Sequence, residues 1–151
     1  MTQKTSLLFL IFATSCTTST PFWQLDSIAA RDKAFQSSRL VTQDPNCPLH
    51  IEFLATESGI TGFAYLTKHH FIPSKERPHE IEFIYSVGDE RFSEWLPLLE
   101  GGMRLRLPDS LTSTMIKTLQ DGEKIDILLD GFMQRLEPYP FTKFFSKLEG
   151  K

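Results

Sequence analysis

The chain has few cysteines, no clustered basic charge and no long apolar run. Its 151 residues include only two cysteines, Cys16 and Cys47, which form no C-x-x-C pair, so thioredoxin-like redox chemistry is unsupported. The 16 basic and 19 acidic residues form no basic cluster, so there is no electrostatic footprint for nucleic acid. After residue 15, no apolar run approaches the roughly 20 residues that a membrane-spanning helix needs.

Short catalytic and ligand-binding motifs are also missing. The sequence contains no G-x-S-x-G, no H-E-x-x-H, no glycine-rich phosphate loop and no paired-cysteine zinc pattern. We therefore assign no catalytic residue and no cofactor. A binding or structural role is favoured over an enzyme.

The first sixteen residues have the layout of a secretory leader. A polar start with one positive charge, Lys4, precedes an apolar run from Leu7 to Ala13, and small residues then lead to Cys16. Such an order of charged, apolar and small residues is typical of a removable signal peptide. The apolar run is too short to cross a bilayer as a stable helix.

The residues Ala13-Thr14-Ser15-Cys16 resemble the lipobox of bacterial lipoprotein precursors, with Ala13 where that family usually has leucine. The resemblance covers the leader alone and implies a diacylglyceryl thioether on Cys16 and an acyl chain on its amino group. It also implies a lipid-anchored location in the bacterial cell envelope. The alternative is an ordinary secretory signal, cut at the same Ser15–Cys16 bond, which would release a periplasmic or secreted protein.

Whether Cys47 is a free thiol depends on which of these alternatives holds for Cys16. An acylated Cys16 leaves Cys47 as a lone thiol, whereas an unmodified Cys16 is free to pair with it in an oxidising compartment. We favour the lone thiol, because Pro45 and Pro48 around Cys47 indicate a stiff loop.

Three segments follow from this interpretation. Residues 1–15 are a removed signal peptide, residues 16–21 a polar tether, and residues 22–151 one globular domain. Removal of Lys4 with the leader leaves 15 basic against 19 acidic residues, a net charge of −4. A high content of phenylalanine, 13 residues, favours a well-filled core.

The secondary structure is predicted from hydrophobic periodicity. Alternating apolar and polar residues predict strands at 49–53, 60–71, 81–87, 103–107, 124–130 and 132–137, and a short strand at 40–42. In the second of these strands, Phe63, Tyr65, Thr67, His69 and Phe71 are expected on one face. Residues 91–100 contain Pro97 and predict one helical turn or an irregular edge.

Three helices are predicted. The first runs from Asp26 or Ser27 to Phe35, and the second begins at a cap on Asp109 or Ser110 and ends at Gly122. The third is a closing helix, Phe141 to Leu148, whose aromatic stripe we expect to pack inside the domain; the alternative is a bilayer surface.

These elements predict an α+β fold, mostly antiparallel, arranged as a sheet or sandwich of about six strands with two or three short helices. The strands at 103–107 and 124–130 are linked through a helix and are compatible with a parallel pair. The predicted core residues are Phe53, Phe83, Tyr85, Leu105, Leu107, Ile127 and Leu129.

Charged residues on these strands are assigned mainly to solvent. Asp126 and Asp130 alternate with a buried face, which favours a solvated strand side over a carboxylate pair for acid–base chemistry. Arg104 and Arg106 likewise favour an exposed face over an anion clamp.

The four histidines, His50, His69, His70 and His79, all lie on the first predicted hairpin or just after it, near Cys47. Imidazole and thiolate bind zinc or copper, so His50, His69 and His79 are weak candidates for a metal site. Adjacent residues of a strand point to opposite faces, so His69 and His70 do not both join one site. The sequence thus predicts a lipid-anchored envelope protein with a binding or structural domain and an unidentified partner, with a metal-binding protein or enzyme as the alternative.

Overall fold

Two antiparallel sheets pack against each other in the computed structural model, which describes residues 22–32 and 36–150. The first sheet has five strands in the order β1-β2-β3-β4-β7, and the second has four in the order β6-β5-β8-β9. All pairings between neighbouring strands are antiparallel. In chain order the elements are β1 Trp23–Ile28, β2 Ser37–Thr42, β3 Leu49–Thr56, β4 Gly59–Leu66, β5 Glu80–Val87, β6 Glu90–Pro97, β7 Arg104–Arg106, α1 Asp109–Gln120, β8 Ile125–Leu129, β9 Phe132–Leu136 and α2 Phe141–Leu148.

The predicted antiparallel α+β class is confirmed, but the described residues contain nine strands rather than about six, and two helices. One added strand is β6, because residues 90–97 pair with β5 along their whole length. Pro97 is the last residue of this strand, where a missing N–H costs no ladder bond. The other added strand is β1.

The helix predicted from Asp26 to Phe35 is wrong for the residues that the structure describes. Trp23–Ile28 is a strand that pairs with β2 over six residues. Residues 33–35 of the predicted helix lie outside the described part. Pairing across the strands outweighs the weak helical spacing of the side chains in this segment.

The strand predicted at residues 60–71 is shorter in the structure, and the side chains that β4 turns inward were not predicted. Residues opposite each other share a face, and Ala64 lies opposite the buried Ile51, so Gly62, Ala64 and Leu66 point inward. A Cβ on Gly62 would lie 2.6 Å from Thr112 Oγ1 of α1. The close approach of this helix requires a small residue, so Phe63 and Tyr65 turn outward. The strand ends at Leu66, before His69 and Phe71.

The strands β7 and β8 belong to different sheets, so the parallel pair that their helical link allowed does not form. Helix α1 instead crosses between the sheets, contacting β4 on one side and β8 on the other. It begins at Asp109 with Pro108 as the N-cap residue, and no side chain caps it by a hydrogen bond, contrary to the prediction. Gly122 follows its end with φ of +83°, which confirms the predicted C-terminal glycine.

The closing helix is confirmed as part of the core. Phe141, Phe145 and Leu148 of α2 are buried, and Phe141 lies 5.0 Å from the ring of Trp23 and 5.8 Å from that of Phe53. All seven predicted core residues are buried as well. The aromatic stripe of α2 is therefore covered by protein, as its spacing required.

Candidate functional site

A cavity of about 500 Å³ lies where β3 begins and β4 ends. We call it the Cys47 cavity, and its lining is Gln43, Asp44, Pro45, Asn46, Cys47, Pro48, His50, Thr67, Lys68 and His69. It brings together Cys47, His50 and His69, three of the residues that sequence analysis singled out. His79 is not part of it.

His50 is held in one orientation. Its Nδ1 lies 2.9 Å from the carbonyl oxygen of Thr42, and its ring stacks on Tyr65 at 5.3 Å between centroids. Because a carbonyl oxygen only accepts, Nδ1 carries a proton, and in the tautomer with a single proton the lone pair lies on Nε2.

The thiol of Cys47 is not poised for nucleophilic chemistry. Burial raises its pKa, the nearby Asp44 carboxylate adds to this, and a backbone hydrogen bond from Leu49 opposes it. The thiol lies 3.3 Å from the carbonyl oxygen of Met133, to which it donates. Reactive cysteines need a lowered pKa, so this thiol stays protonated at neutral pH.

The remaining histidines are dispersed. The ring of His69 packs 5.8 Å from Phe132, whereas His79 contributes its backbone carbonyl to a hydrogen bond from Leu98. Within residues 22–32 and 36–150, no three His, Cys, Asp or Glu side chains are grouped as a metal site would require. The cavity thus combines two imidazoles and a protonated thiol.

A charged cluster on the outer face of the first sheet was not anticipated from the sequence. Glu52 is only 3% exposed, although it lies on the side of β3 that points away from the core. Arg104 binds its carboxylate at 2.5 Å, and Arg39 lies 3.6 Å from the other oxygen. Arg39 also pairs with Asp26 at 3.1 Å. This arrangement leaves the Glu52 carboxylate bound by its own chain.

Aromatic rings complete this cluster. The Arg104 guanidinium lies over the ring of Phe63 at 4.0 Å and near that of Tyr65 at 5.8 Å. Burial raises the pKa of the Tyr65 hydroxyl, and the negative charge of Glu52 adds to this. The alternation along β3 and β4 places these residues on the outer side of the sheet, but a single strand does not show which residues lie next to them. The cluster is therefore recognised only from its cross-strand neighbours.

The two aspartates of the β8–β9 hairpin have separate structural partners. Arg135 Nε binds Asp126 at 2.6 Å, and this hydrogen bond lowers the pKa of the carboxyl. Asp130 accepts a hydrogen bond from the backbone N–H of Ile72 at 2.8 Å. Each carboxylate is thus held by its own structural partner.

Part of the outer face of the second sheet is apolar. Ile84, Leu128 and Met133 lie side by side on β5, β8 and β9, and Trp95 of β6 lies diagonally from Ile84, opposite Glu82. Ile84 and Leu128 are half-buried. Ile72 is 78% exposed, Met133 73% and Trp95 41%. Exposed apolar side chains grouped in this way mark interaction surfaces more often than isolated ones do.

A groove of about 320 Å³ runs along this face. It is lined by Ile72, Pro73, Ser74, Ile81, Glu82, Ile84, Trp95, Leu128, Asp130 and Gly131. The guanidinium of Arg77 covers one side of Trp95 at 4.4 Å from the ring centroid. The groove is therefore mostly apolar, with the carboxylates of Glu82 and Asp130 in its lining and the Arg77 guanidinium at the edge formed by Trp95.

Comparison with known proteins returned no matching family, no matching curated protein and no matching solved structure. Within the described residues, no helix has the length and apolar content needed to cross a bilayer. The leader and Cys16 lie outside the described residues.

Proposed function

We propose that this chain is a lipid-anchored protein of the bacterial cell envelope whose folded domain binds a protein partner. Acylated Cys16 is the membrane anchor, residues 17–21 are the tether, and the outer face of the second sheet is the binding surface. The proposal makes the domain a binding module rather than an enzyme.

The anchor rests on the leader sequence. The apolar run that ends in Thr14-Ser15-Cys16 supports acylation at the cysteine. Each buried methylene of an acyl chain contributes about 0.8 kcal/mol, and two chains suffice for stable attachment.

The observation that carries the binding role is the apolar row of Ile84, Leu128 and Met133 near Trp95, in which Met133 is 73% and Trp95 41% exposed. Exposure of apolar surface to water is unfavourable by about 25 cal/mol for each square ångström. A partner that covers the row would recover this free energy.

The two carboxylates in the groove lining indicate the charge of the partner surface. Glu82 and Asp130 line the groove and would repel the anionic headgroups of a membrane. They would attract a basic side chain beside an apolar one. The partner is therefore inferred to be a protein surface that presents apolar residues flanked by Lys or Arg.

The anchor is tested by Cys16→Ser in the natural host. We expect the variant to leave the membrane fraction and to lose labelling by a fatty-acid analogue. Full retention in membranes would show that another feature anchors the chain.

The binding surface is tested by a photo-crosslinking amino acid at position 133, with the exposed position 113 on α1 as the control. We expect one discrete adduct from position 133 and none from position 113. The adduct should disappear when Ile84→Lys is added, and persist with Thr61→Lys on the outer face of the first sheet. Equal adducts from both positions, or none from position 133, would reject this surface.

One observation favours a second candidate, an envelope metal-binding protein or enzyme. His50 and His69 share the Cys47 cavity, and His50 Nε2 carries the lone pair in the tautomer with a single proton. Titration of the purified mature chain with Zn²⁺ or Cu⁺ tests this candidate, with His50→Gln as the matched variant. Submicromolar binding that His50→Gln abolishes would support it over the binding module.

A further inference from the structure

The first described residues are packed and hydrogen-bonded at one corner of the domain. Trp23 is fully buried, and its Nε1 donates to the carbonyl oxygen of Glu137 at 2.7 Å. The carbonyl of Phe22 accepts a hydrogen bond from Gln43 N–H at 2.6 Å. The chain thus enters the fold beside Glu137, two residues before Tyr139.

The covalent distance from this corner to Cys16 is short. Five residues, 17–21, separate Cys16 from Phe22. At about 3.6 Å per residue, the link spans no more than roughly 20 Å. A domain of this size has a radius of gyration of about 14 Å and is roughly 35 Å across. An acylated Cys16 therefore holds this corner, and not the far end of the domain, next to the bilayer.

The side chains at this corner suit a membrane surface. Tyr139 is 85% exposed, the highest value among the large hydrophobic residues of the described part. Lys143 follows in the first turn of α2 and is exposed. Together with Pro138, Pro140, Thr142 and Ser146, they line a recess of about 380 Å³.

We propose that this Tyr139 corner contacts the lipid headgroups, with Tyr139 at the interface and Lys143 beside anionic phosphates. Tyrosine is enriched at the headgroup level, and lysine is attracted to anionic lipids there. The inference rests on the proposed function, because it needs the acyl anchor at Cys16. It adds an orientation of the domain, with the Ile72 end pointing away from the membrane.

The packing of α2 limits how deep this contact goes. Phe141, Phe145 and Leu148 are buried inside the domain and are not free to enter lipid. Lys143 lies off that stripe and is exposed. The contact is therefore superficial and involves a tyrosine and a lysine rather than an inserted helix.

A matched control exists at the opposite end of the β9 strand. Ile72 is also highly exposed, but it is bound to Asp130, which precedes β9, whereas Tyr139 follows it. The five residues of β9 alone extend roughly 17 Å. A reporter at Ile72 should therefore lie well away from lipid.

The test uses acylated full-length mature protein in nanodiscs of phosphatidylcholine and phosphatidylglycerol, three to one, containing brominated lipid. Tyr139→Trp and Ile72→Trp are each placed in a Trp95→Phe background, and the quenching of that background, which retains Trp23 at this corner, is subtracted from both. We expect fluorescence quenching at position 139 at least twice that at position 72. Equal quenching, or none at position 139, in protein that has entered the nanodiscs would overturn the orientation. Failure to enter the nanodiscs at all would instead overturn the anchor of the proposed function.

A second measurement isolates the lysine. The mature chain with Cys16→Ser is sedimented with vesicles of the same lipids without bromine. Lys143→Gln should lower partitioning about fivefold, since a lysine near an anionic surface contributes about 1 kcal/mol. Lys75→Gln, in the connection at the Ile72 end, should leave it unchanged. Equal partitioning of the Lys143→Gln and parent chains, or no partitioning of the parent, would overturn the lysine contact.

Discussion

The outer faces of the two sheets differ in how far their side chains are paired or covered within the chain. On the first sheet, Arg39 and Arg104 both pair with Glu52, and Arg104 covers the ring of Phe63. On the second sheet, the half-buried Ile84 and Leu128 form a row with the exposed Met133. The charged groups of the first face are therefore largely paired within the chain, although Arg104 Nε is buried without a hydrogen-bond partner in the described residues. The second face leaves apolar surface in water, which is why we assign the binding role to it.

The largest expected loss of stability comes from a substitution in the core between the two sheets. Phe141→Ala should lower the free energy of unfolding by about 3–5 kcal/mol, because its ring fills the space between Trp23 and Phe53. Denaturant titration measures this loss. The half-buried Phe144 on the same helix is the control and should lose less. A loss below about 1 kcal/mol for Phe141→Ala would show that α2 is not part of the core.

The next effect compares one acidic residue on each face. Glu52→Ala should cost about 2–3 kcal/mol, because it leaves Arg39 and Arg104 without their shared carboxylate. Asp126→Ala removes an exposed pair with Arg135 and should cost less than about 1 kcal/mol. Urea titrations of the two variants measure both values. Equal losses of unfolding free energy would mean that the ion pairs of Glu52 stabilise the protein no more than the exposed Asp126–Arg135 pair does.

A smaller effect compares one large side chain on each face. Phe63→Ser should cost about 1–2 kcal/mol, because the ring lies under the Arg104 guanidinium. Met133→Ser should change the free energy of unfolding by less than about 0.5 kcal/mol, because Met133 is already exposed to water. Thermal and urea unfolding check the stabilities. A loss of several kcal/mol for Met133→Ser would mean that this face already packs against the chain.

The smallest effect is a pH dependence on the second face. Hydrogen bonding from Arg135 lowers the pKa of Asp126, so the native state favours the ionised carboxylate. Its stabilisation is present above the unfolded pKa of about 4 and is lost as the pH falls through the lower folded value. Asp126 is about half exposed, so solvent screening holds the difference to less than about 0.5 kcal/mol.

The measurement compares the parent chain with Asp126→Asn. The parent should be slightly more stable at pH 7, and the difference should vanish at strongly acidic pH. A difference that grows as the pH falls would contradict the direction of the pKa shift.

Where one face of a strand is buried and the other wet, the periodicity of the sequence predicted the structure. The strands β3, β5 and β8 alternate in this way, and Phe53, Phe83 and Ile127 are buried as expected. The closing helix was predicted with its observed ends, because its aromatic stripe has helical spacing.

The prediction failed where neighbours decide the structure. The predicted strand 60–71 ends at Leu66 in the structure, and the sequence did not indicate that Gly62 faces inward, where α1 leaves no room for a larger side chain. β1 has no clear period of its own and becomes a strand through pairing with β2.

The candidate site was predicted in part. Composition drew attention to Cys47, His50 and His69, and the fold brings these three to one cavity. The sequence did not indicate that His79 lies apart from them. It also did not reveal Glu52 between two arginines, since Arg39 and Arg104 come from strands far apart in the chain.

The sequence by itself determined the antiparallel class, most of the core and the helix that closes it, because each depends on side-chain periods along one segment. The lipid anchor stays a prediction from the leader. Only the tertiary structure decided which outer face is internally paired and which is left apolar. Those faces are assembled from residues on different strands, and the contact of Glu52 with Arg104 spans 52 positions of the chain. No local pattern records such a pairing, because its free energy arises only when the strands lie side by side.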